Sequence, residues 1–479
     1  MEKQLPKNWV ETELGNYAYL KNGYAFKSSD FCNIGIPVIK IANIKDGRID
    51  LDDSMCVDQS IAKTEFSVNK GDILIAMSGA TTGKFGLYNL YEVAMQNQRV
   101  GNIKPLVDEL SHKKFIYYLL FDLKQDIETM AYGGAQPNIS PQLISSLRIP
   151  LPPLAEQKRI AEKLDVLFGQ LDSVRGAMSR IPTLLANLRQ QILTHAVTGK
   201  LTQEWRQGKA QYDLYDVISN IKSVRIKSNA KSQANKEKIE SIYSDDSSSI
   251  DFFIPDEWIS VNLDKVCMAF SYGTSAKSEE YGKYPVLRMG NIQKGKITWD
   301  DLKYTSDDNE FNKYKVNKGD ILFNRTNSPE LVGKTAIFDT DNDACYAGYI
   351  IKITPCIEVN SSYLNIVLNS QYARRWCWEN KSDGVSQSNI NAQKISKFTI
   401  PYPHLSEQKE IVNRVQSLFE KLDSIEQRYQ MLKTKLENLP QAILHKAFKG
   451  ELVEQLPSDG NAADLLREIE QLKKSLKKK

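Results

Sequence analysis

The stretch Leu154-Ala155-Glu156-Gln157-Lys158-Arg159-Ile160 opens a run to Leu201 whose reading decides the fold. From Ile160 its apolar residues continue at Leu164, Leu167, Leu171, Val174, Met178, Ile181, Leu185, Leu188 and Ile192, in alternating steps of four and three. An average step of about 3.5 keeps one stripe of a helix turned toward another helix along its whole length. The partner lies in the same chain. Ile411, Val415, Leu418, Leu422, Ile425, Tyr429, Leu432, Leu436, Leu439 and Ile443 repeat the stripe at one fixed offset. The flanks repeat with it: Leu154, Glu156 and Gln157 return as Leu405, Glu407 and Gln408, and Gly199 and Leu201 as Gly450 and Leu452. One stripe alone is ordinarily the inner face of a surface helix; two in phase at one offset favour a coiled coil.

Outward from these helices the chain is a duplication. Residues 1–153 read as one unit of short strands, such as Gly71-Asp72-Ile73-Leu74-Ile75, with a helical spacing at Ile116, Leu119, Leu120, Leu123 and Ile127. Residues 251–403 repeat it: Pro6 and Trp9 match Pro255 and Trp258, and Asn69-Lys70-Gly71-Asp72-Ile73-Leu74 returns as Asn317-Lys318-Gly319-Asp320-Ile321-Leu322. Residues 154–226 hold the first spacer helix and a short amphipathic patch at Leu214, Tyr215, Ile218 and Ile221. Residues 227–250, rich in Ser, Lys, Asn and Asp, read as a polar, mobile linker. Residues 404–479 hold the second helix and a basic tail whose Leu465, Leu466, Ile469 and Leu472 answer the first patch. Pro182 interrupts the first helix without breaking its apolar phase, so a kink or restart is expected there. The fold class is therefore α+β: two similar mixed α/β domains in tandem, separated by two long helices forming an antiparallel coiled coil about a pseudo-twofold axis.

From Ile160 to Ile192 such a seam extends roughly 48 Å at about 1.5 Å per residue, against roughly 34–36 Å for one turn of duplex DNA. Helices of that length could act as a ruler between two readers on one duplex. The two units diverge where readers would have to differ. After the shared strand the first has Ser78-Gly79-Ala80-Thr81-Thr82-Gly83-Lys84 and the second Thr326-Asn327-Ser328-Pro329-Glu330-Leu331-Val332-Gly333-Lys334, with Arg325 just before it. Gln96-Asn97-Gln98-Arg99 is answered by Tyr346-Ala347-Gly348-Tyr349. Gln136 and Asn138 match Gln387 and Asn389, with Ser388 between the latter two. Arg and Lys suit guanine edges, Asn and Gln adenine edges, and all of them phosphates. The candidate DNA contacts are Ser78, Thr81, Thr82, Lys84, Asn97, Gln98, Arg99, Gln136 and Asn138 in the first unit. In the second they are Arg325, Thr326, Asn327, Lys334, Tyr349, Gln387, Ser388 and Asn389. Lys84 and Lys334, at equivalent places, suit phosphate; the non-equivalent loop residues suit bases. For any one residue, an ordinary solvated loop remains the simpler reading.

Composition excludes more than it asserts. The net charge of +4 announces no nucleic acid by itself, and the six cysteines and four histidines form neither a Cys-x-x-Cys pair nor a metal-ligand cluster. No apolar run approaches the ~20 residues of a spanning helix, and the start is no signal peptide, so a cytoplasmic protein is expected. Ser328 stands where a phosphate-binding loop needs its first glycine, and Pro329 follows it. A dinucleotide fingerprint, a His-Glu-x-x-His and the base-gripping Asp/Asn-Pro-Pro-Tyr/Phe of amino-methyltransferases are all lacking. Asp245-Asp246 and Asp307-Asp308 read as solvated turns, and His195 as an edge position of the coiled coil. No catalytic residue and no metal ligand are expected.

The layout resembles the specificity subunit of Type I restriction-modification systems over nearly the whole chain. The most specific marks are Leu-Pro-Pro-Leu-Ala-Glu-Gln-Lys-Arg-Ile at 151–160 with Pro403-His404-Leu405-Ser406-Glu407-Gln408-Lys409-Glu410-Ile411, and the helix ends Ile192–Leu201 and Ile443–Leu452. The resemblance implies that each unit is a target-recognition domain reading one half of a bipartite, asymmetric site in double-stranded DNA. It also implies that the helices dock two modification subunits, which are adenine methyltransferases, and that restriction/translocase subunits join the assembly. S-adenosylmethionine, ATP and Mg are then expected on those partners and none in this chain. Two other classes stay open on the residues alone. A self-sufficient methyltransferase or nuclease would transfer methyl groups or cut without partners, and a coiled-coil scaffold with no DNA role would show no salt-sensitive DNA binding.

Overall fold

The computed structural model describes residues 5–106, 110–132, 137–210, 212–229, 232–245, 248–385 and 387–476. The chain forms two compact units, Met1–Ser179 with Gln430–Lys479, and Arg180–Tyr429.

Unit 1 is closed by strand Val10–Glu13 pairing antiparallel with Arg148–Leu151. Its six-stranded sheet runs Ala18–Asn22, Val100–Pro105, Ile73–Ala76, Phe85–Leu87, Gly47–Ile49, Ile44–Lys45, with a five-stranded sheet beside it. Strand Ile73–Ala76 is buried throughout because both faces are covered. Ile73 and Ile75 enter a core with Phe85, Phe115 and Leu119, while Leu74 and Ala76 enter another with Ile39, Tyr88 and Val100. A period of two sends alternate side chains to opposite faces, which accounts for the unbroken apolar run.

Unit 2 repeats this plan. Ile259–Asn262 pairs with Thr399–Tyr402. The six-stranded order returns as Cys267–Tyr272, Ile350–Pro355, Ile321–Asn324, Thr335–Ile337, Gly295–Ile297, Ile292–Gln293. Even the one parallel pairing of that sheet recurs, between Phe85–Leu87 and Gly47–Ile49 and between Thr335–Ile337 and Gly295–Ile297. The repeated Asn-Lys-Gly-Asp is a turn lock. Buried Asp72 accepts Asn69 N–H at 3.1 Å, Asn102 Nδ2 at 3.1 Å and the Lys113 ammonium at 3.1 Å. Asp320 accepts Asn317 N–H at 2.8 Å and Thr354 Oγ1 at 2.7 Å. Unit 2 holds a small sheet of Thr326–Asn327, Ser388–Asn389 and Ser382–Asp383.

The first long helix spans Leu154–Met178 and restarts at Ile181–Val197, with Pro182 in the first turn, where its missing N–H has no intrahelical partner to lose. The second spans Leu405–Phe448 without interruption, Pro440 included. Its first part belongs to unit 2 and its second to unit 1. In unit 2 the helices run antiparallel. Arg189 bonds Asp423 and Glu426, Arg414 Nη1 donates to Leu201 O at 2.9 Å, and Arg206 bonds Glu407, so one number rises as the other falls. In unit 1 Arg159 holds Asp459 through Nη1 and Nη2, at 2.6 and 2.7 Å.

Of the seam residues, Ile160, Leu164, Leu171, Ile411, Val415 and Leu422 are buried and Leu167 and Leu418 half-buried. Val174 and Ile425 correct the expectation of a closed seam, being 46% and 47% exposed. Two helices cover only the inner side of such a stripe. The deeply buried members are those a globular domain also covers, Ile160 and Leu164 in the core of Phe115 and Leu119, and Ile411 and Val415 in that of Tyr363 and Val367.

The stretch 227–250, expected as a mobile linker, contributes to helix Leu214–Asn229 and carries helix Gln233–Ser244. Ile239 is buried, Tyr243 OH donates to Lys265 O at 2.8 Å, and Lys397 bonds Asp245. A few anchors spaced widely among polar residues were enough to seat it. The two amphipathic patches do matching work: Leu214 and Ile221 join the core of unit 2, Leu465 and Ile469 that of unit 1.

Candidate nucleic-acid interface

Three segments distant in sequence meet where strand Ile73–Ala76 ends. Met77 N–H donates to Arg99 O at 3.0 Å, Ile139 N–H donates to Met77 O at 2.8 Å, and Ser78 bridges to Asn138. In unit 2 the same junction forms bond for bond: Arg325 N–H donates to Tyr349 O at 3.0 Å and Ile390 N–H to Arg325 O at 2.9 Å. The loop between returns to its strand identically, Gly83 N–H to Ala76 O at 2.9 Å and Gly333 N–H to Asn324 O at 2.8 Å. Both glycines have φ of 87°, a left-handed conformation that a Cβ disfavours. The glycine is thus scaffold, and the residues before it are free to differ.

In unit 1 Lys84, Gln98, Arg99 and Asn138 are exposed. The side chains of Lys84, Gln98 and Arg99 make no hydrogen bond or ion pair among the described residues. Ser78 and Thr81 are half-buried, and Thr81 Oγ1 reaches Ile41 O at 3.4 Å. Asn97 Oδ1 accepts Arg99 N–H at 3.4 Å. Gln136 lies outside the described residues. Thr82 is corrected: it is 3% exposed and donates its hydroxyl to Gly79 O at 2.6 Å, closing its own loop.

In unit 2 Tyr349 and Gln387 are exposed. Lys334 Nζ donates to Gln293 Oε1 at 3.2 Å. Asn327 Oδ1 accepts Ser328 N–H at 2.8 Å, and Asn389 Nδ2 donates to Thr326 Oγ1 at 2.7 Å, tying the small sheet together. Ser388 is the second correction: fully buried, it donates its hydroxyl to Asp383. Arg325 is half-buried, with its guanidinium 4.7 Å from the centre of the Tyr272 ring and Nη1 3.5 Å from Gly348 O. Tyr272 was not singled out in the sequence, since only the pairing of Cys267–Tyr272 with Ile350–Pro355 brings it there.

Every junction donor and acceptor is uncharged backbone, while the exposed ends are cationic, amide or, at Tyr349, phenolic. Such a surface can bind phosphate and the edges of bases. Among the described residues no group of three or more His, Cys, Asp or Glu could hold a metal ion, and no helix is long and apolar enough to cross a membrane.

Known proteins share this plan. The chain is 28% identical to the Type I restriction enzyme EcoKI specificity subunit of Escherichia coli K12, over 97% of this chain and 96% of that one. It is 28% identical to the EcoBI specificity subunit of Escherichia coli, over 96% and 92%. The crystal structure of the HsdS subunit from Thermoanaerobacter tengcongensis superimposes with a TM-score of 0.59 at 18% identity, covering 94% of this chain and 99% of that one, a likeness of fold. The sequence pattern of one family matches residues 6–181 and, again, 255–434. The two halves that the hydrogen bonds pair off are thus two copies of one domain, and the chain belongs to the family of the Type I restriction modification DNA specificity domain.

Proposed function

We propose that the chain is the non-catalytic specificity subunit of a Type I restriction-modification complex, reading a bipartite, asymmetric DNA site with one half-site per unit. The observation that carries this is the duplicated junction: an identical backbone frame presents Met77 and Arg99 in one copy and Arg325 and Tyr349 in the other. A conserved frame with divergent tips is what two readers of different sequences require. Lys84 and Lys334 sit at matched places after matched glycines and would anchor phosphates in both half-sites. The long helices would dock two modification subunits carrying S-adenosylmethionine, with restriction/translocase subunits using ATP and Mg, all in the cytoplasm. Adenine-methylation mapping in cells carrying the modification subunit, with and without this chain, tests the proposal. A split motif appearing only with the chain is expected. No motif, with the partner expressed and bound, would refute it.

A further inference from the structure

The two junctions carry one arginine each, but on different strands. In unit 1 it is Arg99, entering strand Val100–Pro105, and its neighbour across the junction is Met77. In unit 2 the position of Met77 is taken by Arg325, leaving strand Ile321–Asn324, and the position of Arg99 by Tyr349. Neighbouring strands lie about 4.8 Å apart, more than the rise of roughly 3.4 Å per base pair. The exchange therefore moves the backbone position from which the guanidinium projects by one strand spacing relative to the shared frame.

The two arginines also differ in how they are held. Arg99 is exposed, with no side-chain partner among the described residues. Arg325 lies against the Tyr272 ring, 4.7 Å from its centre, and that ring is fixed because its hydroxyl accepts Ala392 N–H at 3.0 Å. Asn22 takes the place of Tyr272 in unit 1, at the end of the matching strand. Nε of Arg325 is buried with no partner, as are both amide atoms of the preceding Asn324, where unit 1 has the buried Ala76. Unpaired buried donors weaken a fold, and an apolar pair serves unit 1 at the same place, so stability does not account for this polarity. Nη2 donates to nothing among the described residues, leaving one edge of the guanidinium fork open.

Resting on the proposed function, we infer that Arg325 is the guanine-reading residue of unit 2, held ready by Tyr272 as its positioning residue. Arg99 reads a guanine for unit 1 from the neighbouring strand, at a different place in its half-site. Methylation mapping with the full chain and its modification subunit tests this through single variants. Arg325→Ala should relax one base pair of one half-site, losing roughly 5- to 150-fold in discrimination, the range of a bidentate base contact. Arg325→Lys should relax the same pair while keeping the charge, because an ammonium lacks the fork. Tyr272→Leu should relax that pair too, and Tyr272→Phe, which keeps the ring under the guanidinium but loses the hydroxyl that fixes it, should relax it less than Tyr272→Leu. Arg99→Ala should relax a pair in the other half-site. A wild-type motif left unchanged by Arg325→Lys and Tyr272→Leu, with both variants folded, would overturn the inference while leaving the proposed function standing. No wild-type motif at all would overturn both.

Discussion

Glu156 and Glu407 occupy the same place in the two units, and the same substitution should act on them very differently. Each is buried, and each accepts a tryptophan indole at 2.9 Å, Trp9 Nε1 on Glu156 and Trp258 Nε1 on Glu407. The second oxygens part company. Oε1 of Glu407 accepts Thr202 Oγ1 and Arg206 Nη1, both at 2.6 Å, with the Arg206 side chain only 12% exposed. Oε1 of Glu156 is buried with no partner. An amide at 407 would turn an NH2 toward either the indole or the guanidinium, and would leave a nearly buried arginine with only the longer contact to the exposed Glu257, at 3.8 Å, as counter-charge. That costs about 2–4 kcal/mol. An amide at 156 keeps the acceptor for Trp9, puts its NH2 where no donor competes, and removes a charge that burial disfavours. The expected change is within about 1 kcal/mol of zero. Burial holds the Glu156 carboxyl above the usual range, against the pull of the Trp9 indole. The folded state therefore binds this proton more tightly than the unfolded chain, whose glutamates titrate near ~4.3. Its contribution to stability is complete below that pH and is lost as pH rises through the folded value, and Glu156→Gln should erase that slope. Guanidinium unfolding measures both variants by circular dichroism and by tryptophan emission. Trp9 is the one tryptophan of residues 1–179 and 430–479, against five in 180–429, so emission separates the units. Equal losses for the two variants, or a larger loss for Glu156→Gln, would refute the reasoning.

Asp72→Asn should destabilise unit 1 by about 2–4 kcal/mol, since it removes a buried carboxylate on which two half-buried lysines converge. Burial alone would raise the Asp72 carboxyl, but Asn69 N–H, Lys104, Asn102 and Lys113 hold it below the ordinary range. Its contribution is therefore present above about pH 3.9 and lost as pH falls through the folded value, visible as a steeper acid transition in wild type than in the variant. Lys84→Ala and Lys334→Ala should each weaken DNA binding alike on every sequence and lower the salt slope by about 1, measured by titration at several salt concentrations. Gly199→Ala and Gly450→Ala should each lower thermal stability by roughly 1–3 kcal/mol. Both glycines are left-handed, at φ of 70° and 76°, and a Cβ would fall 2.4 Å from Pro255 and Pro6 respectively.

What the sequence made legible was whatever repeats. The heptad stripes, the Asn-Lys-Gly-Asp turn and the left-handed Gly83 and Gly333 survive duplication because each answers a backbone or core requirement that a spacing can display. The junction loops stood out by contrast, differing inside a matched frame. What stayed hidden depends on partners that no spacing reveals. Thr82 and Ser388 looked like polar tips but turn inward, onto Gly79 and Asp383. Tyr272 reads as one more strand aromatic until the register sets it under Arg325. Residues 233–244 lack a strong apolar stripe, and only Ile239 and Tyr243 show where they dock. The stripe could pair the helices but could not show that each domain takes part of both, nor that Val174 and Ile425 lie beyond the domains' cover.

The division into units bears on the order in which a ribosome can complete them. Unit 2 is one uninterrupted segment, residues 180–429, and every side chain of its core has left the peptidyl-transferase centre once Tyr429 is joined. Unit 1, although its recognition domain is translated first, draws Leu444, Ala447, Phe448, Leu465 and Ile469 into its core. Until those residues emerge, the apolar faces of Phe115, Ile160 and Leu164 lack part of their cover. The half translated first is thus the later one to close, and a chain stopped after residue 429 would hold one finished reader and one still open.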